Sequence, residues 1–464
     1  MNAKPSIAGR RGLRGSTSMT AAVTVAALAL SLAACGSDGK SEDDKGGKGG
    51  KQADPAAVAG ALDQPAEITF WSWVPNIDRT VALFEKKYPK VHVKLVNVGQ
   101  SADQYTKLQA ALKAGNGAPD VAQIEYFALP QFAITKQLVN LADFGAASLR
   151  DKFAASAWSQ VNVAGGIYGV PQDTGPMAMF YRKDILDKLG ATPPKTWAEV
   201  AELGKKVKAA DPGNFVTYLD PGDAGQANSL IWQQGGKPYQ VSGETSAAVK
   251  LKDDPGTAKW AATWGPMLAD KTVESTPSWN EEWWKSMGAG KYALWLAGAW
   301  APAVLQKNIP QGAGQWAVAP MPTGDGAPGS AENGGSSVAV TKQAKNKAAS
   351  VAFATWLNSD PEAVKSLNTD VGLFPATRQL LDDPGFRGAD LPYFPGTKPN
   401  EVFAQMSGAV RPEWQYLPFQ VYANSIFKDT IGQAYRPGGD LPGALAGWQE
   451  RIVSFGKEQG FSMK

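Results

Sequence analysis

The feature that most constrains the fold is an alternation of short apolar strands with amphipathic helices. Glu67–Trp73, Val91–Val96 and Pro119–Ile124 have the composition and alternation of strands. A helix with Asn76 as its predicted N-cap separates the first two, and a helix closed by Gly115 separates the second and third. This order predicts βαβ units on a parallel sheet, and therefore an α/β fold.

Ligands of parallel sheets bind outside the carboxyl ends of the strands. Trp73 follows the first predicted strand, and Glu125 and Tyr126 follow the third. These three residues are therefore candidate ligand contacts. His92 lies among the alternating residues of the second strand, and we expect it to face solvent.

The N-terminal residues indicate export and lipid attachment. A basic start without acidic residues precedes an apolar run from Ala21 to Ala34, which fits the about 7–15 residues of a signal-peptide core and is too short to span a bilayer. The run ends in Leu32-Ala-Ala-Cys35, which resembles the lipobox of bacterial lipoproteins. We therefore predict that residues 1–34 are removed and that Cys35 is lipidated, which anchors the protein on the extracytoplasmic face of the cell membrane. A buried structural cysteine is the alternative, and the export route, Sec or Tat, stays open.

Composition excludes several classes of protein. The chain has one Cys and one His, so a disulfide framework, a Cys-based zinc site and a multi-His metal site are excluded. The formal net charge of +3 owes four positive charges to residues 1–34, so the mature protein is near neutral and lacks the basic excess of a nucleic-acid binder. Residues 35–64 are rich in Gly, Lys and acidic residues, which predicts a flexible tether.

The same alternation continues through the rest of the chain. Thr196 with Glu199 predicts a capping box at the start of one helix. Another helix is predicted from Trp279 onward, with Trp279, Trp283 and Met287 at i, i+4 and i+8 on one core face.

Several segments, in this order, resemble the family 1 extracellular solute-binding proteins, the maltose-binding-protein-like receptors of bacterial ABC sugar importers. They include Ile68-Thr-Phe-Trp71, Ala118-Pro-Asp-Val121, Tyr168-Gly-Val-Pro171, Pro194-Lys-Thr-Trp197, Gly298-Ala-Trp300 and Phe374-Pro-Ala-Thr-Arg378. The resemblance implies a two-lobed α/β fold with the ligand clamped between lobes that hinge strands join. It places lobe 1 in residues 65–171 and 335–373, and lobe 2 in residues 172–334 and 374–464.

The resemblance also implies a monomeric receptor that carries a carbohydrate to ABC permease subunits and is not an enzyme. No cofactor or metal is expected. The chain has 16 Trp and 12 Tyr, which suits sugars, since aromatic faces stack on sugar rings while planar polar side chains bind the hydroxyls. Asp223 and Gln226 are secondary candidates, and the predicted ligand-binding residues are Trp73, Glu125, Tyr126, Asp173, Asn228, Trp300 and Trp414.

Two other functions are compatible with these residues. Aromatic and acidic side chains such as Trp73, Glu125 and Asp173 could enclose a polyamine through cation–π contacts. A secreted glycoside hydrolase would need two carboxylates about 5–10 Å apart across the scissile bond, and Asp173, Glu125 or Glu281 could supply them.

Overall fold

The computed structural model describes residues 55–464. Among these residues, no helix has the length and apolar character needed to cross a membrane. The predicted signal peptide, Cys35 and the first part of the predicted tether lie outside the described residues.

The last ten residues of the predicted tether are largely helical. Pro55–Gly60 forms α1, and a 3₁₀ turn follows at Ala61–Asp63. Val58 and Leu62 are four positions apart and both buried, so they share one face of this segment. The prediction of a flexible tether up to residue 64 is therefore wrong for this part, because two apolar side chains at helical spacing suffice to dock it.

The strands form the sheets that position the candidate functional site. Their bounds are β1 Ala66–Trp71, β2 Val91–Val96, β3 Val121–Glu125, β4 Asn162–Val163, β5 Gly166–Ile167, β6 Val170–Pro171, β7 Met177–Arg182, β8 Thr217–Leu219, β9 Tyr239–Ser242, β10 Ser246–Val249, β11 Val273–Ser275, β12 Leu294–Gly298, β13 Trp316–Ala319, β14 Ser336–Val340 and β15 Ser462–Met463.

Helices cover the sheets and form most of the C-terminal part. After α1 they are α2 Asp78–Lys87, α3 Ala102–Ala114, α4 Leu129–Ile134, α5 Ala155–Gln160, α6 Lys183–Lys188, α7 Trp197–Ala210, α8 Ala224–Gln233, α9 Pro255–Ala269, α10 Glu281–Ala289, α11 Ala301–Asn308, α12 Lys347–Ser359, α13 Pro361–Thr369, α14 Arg378–Leu381, α15 Pro384–Arg387, α16 Pro399–Gly408, α17 Gln420–Ser425, α18 Ile431–Ala434 and α19 Leu441–Glu458. Further 3₁₀ helices are Leu141–Phe144, Ala146–Lys152 and Pro310–Gly312.

The first sheet has the order β2-β1-β3-β14-β6. Strands β1, β2 and β3 run parallel, with Ile68 opposite Val93, and this confirms the parallel arrangement predicted for them. Strand β14 is antiparallel to both β3 and β6. Ile68 and Phe70 are fully buried, and Phe70 packs edge-on against Phe353 of α12.

A second set of strands lies beyond β6. Strand β7 pairs antiparallel with β12 and β13, and β8 pairs parallel with β11. A bridge between Phe215 and Tyr292 connects β8 to β12. The core of this part is rich in aromatic side chains, among them Phe180 against Trp295 at 5.7 Å between ring centroids.

Three chain segments run side by side between the two sets of strands. The Gln172 backbone N–H donates to the Ser336 carbonyl at 2.8 Å, and that of Thr174 donates to the Phe374 carbonyl at 3.2 Å. The Asn333 N–H donates to the Gly175 carbonyl at 2.8 Å. These contacts lie at the predicted boundaries between the lobes, near residues 171, 335 and 374. The division of residues between the lobes stays a prediction.

Local signals predicted some of the helix ends. The Thr196–Glu199 capping box is present, and Gly115 ends α3 with a left-handed φ of 77°, so both predictions are confirmed. The N-cap prediction for Asn76 is wrong, because Asn76 has a φ of 62° in a turn and Ile77 occupies the cap position of α2. His92 is exposed as predicted.

Candidate functional site

A cluster of five tryptophans presents a partly open aromatic surface. Among residues 55–464, Trp279 is the large hydrophobic side chain with the greatest exposure to solvent, at 49%. Its ring lies 5.5 Å from Trp300 and 5.7 Å from Trp284, both of which are partly exposed. Trp283 and Trp295 are buried behind them, 5.8 Å apart. We call Trp279, Trp284 and Trp300 the tryptophan patch.

Local backbone geometry places Trp279 on the surface. It precedes α10, whose N-cap is Asn280, and it has a φ of 67°. The loop before it is fixed because a carboxylate oxygen of Asp220 accepts from the Ser278 N–H at 2.7 Å and from its hydroxyl at 2.6 Å. The prediction that Trp279 shares a core face with Trp283 is therefore wrong, since the helix starts only after Trp279.

Trp300 is held at the end of β12 by the backbone around it. Its indole N–H donates to the Asn333 carbonyl at 2.7 Å. Gly298 allows this close approach, since a Cβ atom there would lie 2.5 Å from the Trp300 ring nitrogen and 2.6 Å from the Asn333 carbonyl oxygen. The ring is thus oriented by a connecting segment.

Glu125 and Asp223 are acidic side chains from different parts of the chain, and burial raises the pKa of each. The Glu125 carboxylate accepts from the Ser101 hydroxyl at 2.7 Å and from the Tyr105 hydroxyl at 2.9 Å. Burial raises the pKa of Glu125 and the charge of Asp223 raises it further, while the two hydrogen bonds oppose the shift. Asp223 caps α8 by accepting from the Gln226 N–H at 2.9 Å. The charge of Asp223, at the start of α8, therefore acts on Glu125, at the end of β3.

Asp173 lies on one of the three segments that run between the two sets of strands, and Tyr126, which directly follows β3, contacts it. The Tyr126 hydroxyl donates to the Asp173 carbonyl at 2.8 Å, and an Asp173 carboxylate oxygen accepts from the Ser336 N–H at 2.8 Å. Burial, with smaller effects from Glu125 and Glu332, raises the pKa of Asp173 to about 7. Asp173 is partly exposed, whereas Tyr126 is buried.

The other predicted contacts occupy varied surroundings. Trp73 is partly exposed and packs edge-on against Tyr105 at 6.1 Å. Asn228 is buried, and its side-chain oxygen accepts from the Tyr239 hydroxyl at 3.1 Å. Trp414 is buried and stacks on Trp232 at 5.3 Å between centroids.

The described residues line two large cavities near the connecting segments. One, of about 660 Å³, is lined by Tyr126, Trp414 and Tyr416. The other, of about 820 Å³, is lined by Trp300. The structure therefore does not gather all seven predicted residues around one cavity. No cluster of three or more metal-ligating side chains occurs among residues 55–464.

Comparison with known proteins decides the family. The profile of the bacterial extracellular solute-binding proteins matches residues 17–364. The chain belongs to this family. A curated relative of this solute-binding protein is the arabinooligosaccharide-binding protein of Halalkalibacterium halodurans, which is 26% identical over 82% of this chain and 88% of its own.

Two solved structures are similar over most of the chain. The ABC transporter associated binding protein from B. animalis subsp. lactis Bl-04, in complex with β-1,6-galactobiose, is 38% identical with a TM-score of 0.76 over 86% of this chain and all (100%) of its own. The galacto-N-biose-/lacto-N-biose I-binding protein of Bifidobacterium longum, in complex with lacto-N-biose, is 27% identical with a TM-score of 0.74 over 86% and 99%. The predicted two-lobed α/β fold is confirmed.

Sequence reasoning missed two members of the tryptophan patch. The helical spacing predicts a core position for Trp279, and the sequence pattern alone does not distinguish Trp284. In their segment, Trp279-Asn-Glu-Glu-Trp-Trp284, the N-cap signal is Asn280. Its side-chain oxygen accepts a hydrogen bond from the Trp283 backbone N–H, three residues later. Starting the helix after that cap would have placed Trp279 outside it.

Proposed function

We propose that this solute-binding protein is an extracytoplasmic receptor that holds a short oligosaccharide between its lobes and delivers it to the permease of an ABC importer. The observation that carries the proposal is the tryptophan patch. A contiguous exposed apolar surface is typical of a site that binds a ligand or partner, and the rings around Trp279 leave this large side chain about half exposed.

Sugars match this surface in two respects. The C–H face of a pyranose ring can cover an indole, and its hydroxyls can exchange hydrogen bonds with carboxylates at its edge. Asp220 and Asp223 lie on the loop that Ser278 anchors beside Trp279. Glu125, at the end of β3, and Asp173 are further carboxyl groups that could bind hydroxyls, and the charge of Glu125 acts on Asp173.

We propose a β-galactoside as the first ligand to test, because the solved structure at 38% identity holds β-1,6-galactobiose. Isothermal titration calorimetry of the purified protein against β-1,6-galactobiose, lacto-N-biose, lactose, maltotriose and spermidine is the experiment. Binding of at least one sugar, with spermidine silent, is expected. Binding of spermidine but of none of the sugars would contradict this proposal and indicate an amine receptor.

We also propose that the ligand leaves unchanged. Glu125 and Asp173 are carboxylates that a glycosidase could use, and the charge of Glu125 acts on Asp173. The same sugars are therefore incubated with the protein overnight and separated by chromatography. Intact sugar is the expected result. Release of monosaccharides that a Glu125→Gln variant abolishes would contradict binding without turnover.

The proposed location is the outer face of the cell membrane, through lipid on Cys35. A Cys35→Ala variant is expected to move the protein from the membrane fraction to the medium without changing sugar affinity. A wild-type protein that is already free in the medium would contradict the anchor. We propose a monomer, which sedimentation of the purified protein checks directly.

A further inference from the structure

The cavity of about 820 Å³ beside Trp300 is not needed to explain the tryptophan patch. It lies between α11, which carries Ala303, and the segment from α13 to Phe374. Ala303 approaches the opposite wall closely, since a Cβ atom on Gly372 would lie 3.8 Å from the Ala303 methyl carbon. Its volume is in the range of about 300–1,000 Å³ that small-molecule sites occupy.

The walls of this cavity combine aromatic rings with planar amides. This is the chemistry that suits a sugar, because rings cover its faces and amides both donate to and accept from its hydroxyls. One hydroxyl in the lining, that of Thr377, is buried and has no hydrogen-bond partner among residues 55–464. The rings are those of Trp300, Phe374, Phe386 and Tyr393, and the amides are those of Gln306, Asn368, Gln379 and Asn400.

Trp300 connects the cavity to the tryptophan patch. Its ring belongs to the cavity lining and also packs 5.5 Å from Trp279. A ligand stacked on the patch would therefore share Trp300 with a ligand in the cavity. The indole is fixed by its hydrogen bond to Asn333, so this connection does not depend on a mobile side chain.

We propose that the cavity binds the further units of an oligosaccharide whose first units stack on the tryptophan patch, so that the protein prefers chains of three or four sugars over disaccharides. This inference rests on the proposed function. It adds the length of the ligand and the residues that determine this length, neither of which follows from the tryptophan patch alone.

The experiment measures affinity for β-1,6-linked galactose chains of two, three and four units by calorimetry. For the wild-type protein we expect the tetraose to bind at least tenfold tighter than the disaccharide. An Ala303→Trp variant places an indole in the cavity, and it is expected to remove this gain while disaccharide affinity stays within about twofold. Lys307→Trp is the matched control, because Lys307 is exposed on the same helix and does not line the cavity. It should keep the gain.

Equal affinity of the wild-type protein for all three lengths overturns the inference and leaves the proposed function standing. If none of the three galactose chains binds while lactose or lacto-N-biose does, the inference is also overturned and the proposed function still stands. If no sugar binds at all, the proposed function itself fails. Should Ala303→Trp not fold, Gln306→Ala replaces it, since Gln306 is an exposed lining residue. Its tetraose gain is expected to fall, and an unchanged gain overturns the inference.

Discussion

Replacing Trp279 by alanine is the sharpest test of the tryptophan patch. The side chain is 49% exposed, and the rest of its surface contacts the neighbouring indoles. A tryptophan presents up to about 250 Å², so about 120 Å² of it is open to a ligand. If a sugar ring covers about half of that, the hydrophobic contribution at about 25 cal/mol per Å² is about 1.5 kcal/mol.

That contribution corresponds to a loss of affinity of about tenfold in the Trp279→Ala variant. The free energy of unfolding should fall as well, by at most about 3 kcal/mol, because about 120 Å² of protein contact is lost. Calorimetry with β-1,6-galactobiose measures the dissociation constant, and denaturant unfolding of the ligand-free protein measures stability. Trp279→Phe keeps a ring and should lose less than the alanine variant in both.

Phe455→Ala is the matched control. Phe455 is a partly exposed aromatic residue of α19 that stacks on Tyr422 at 3.7 Å between centroids. It should lose stability without losing affinity. An unchanged dissociation constant for Trp279→Ala, with the protein folded, would remove the patch from the binding site and refute the area argument.

Three further results are expected. Burial raises the pKa of Asp173 from 3.8 to about 7. The folded state therefore holds this proton more tightly than the unfolded state, and the group's contribution to stability falls as pH rises from about 4 to 7. Relative to the wild type, Asp173→Asn should gain stability over that interval, which unfolding experiments at each pH measure. Gly298→Ala should weaken sugar binding tenfold or more by displacing Trp300, whereas Gly447→Ala, where a Cβ meets no atom within 4 Å, should stabilise α19 by up to about 1 kcal/mol and leave affinity unchanged. Leu62→Ala should lower the free energy of unfolding by about 2–3 kcal/mol without affecting affinity. No change in stability would indicate that residues 55–63 do not dock on the folded protein and belong to the flexible tether.

Sequence periodicity predicted the first sheet because its strands obey local rules. Val91–Val96 alternates in a way that only a strand with one buried face explains, and the prediction matches β2 at both ends. The Thr196–Glu199 box is equally local. Asn76 failed because asparagine suits both an N-cap and a left-handed turn, and the residue types alone do not separate the two.

The site was less predictable because exposure is a tertiary property. Trp279 and Trp283 are four residues apart and look alike in sequence, yet one is 49% and the other 2% exposed. The difference comes from where α10 starts. Likewise, Trp414 lies in a segment where the resemblance implies a stacking aromatic, but Trp232 already covers one of its faces. Which face of a ring stays free depends on residues far away in the chain.

The electrostatics of the acids favour an uncharged ligand over an amine. Burial raises the pKa values of Glu125, Asp173 and Asp223, so each is harder to ionise than a surface carboxyl. A cation prefers ionised partners, and each raised pKa lowers the fraction of these carboxyls that is ionised before a ligand binds. A polyol gains from a carboxyl group in either state, since the protonated form can donate and the ionised form can accept. The same burial that makes these acids poor counter-ions therefore leaves them effective partners for hydroxyl groups.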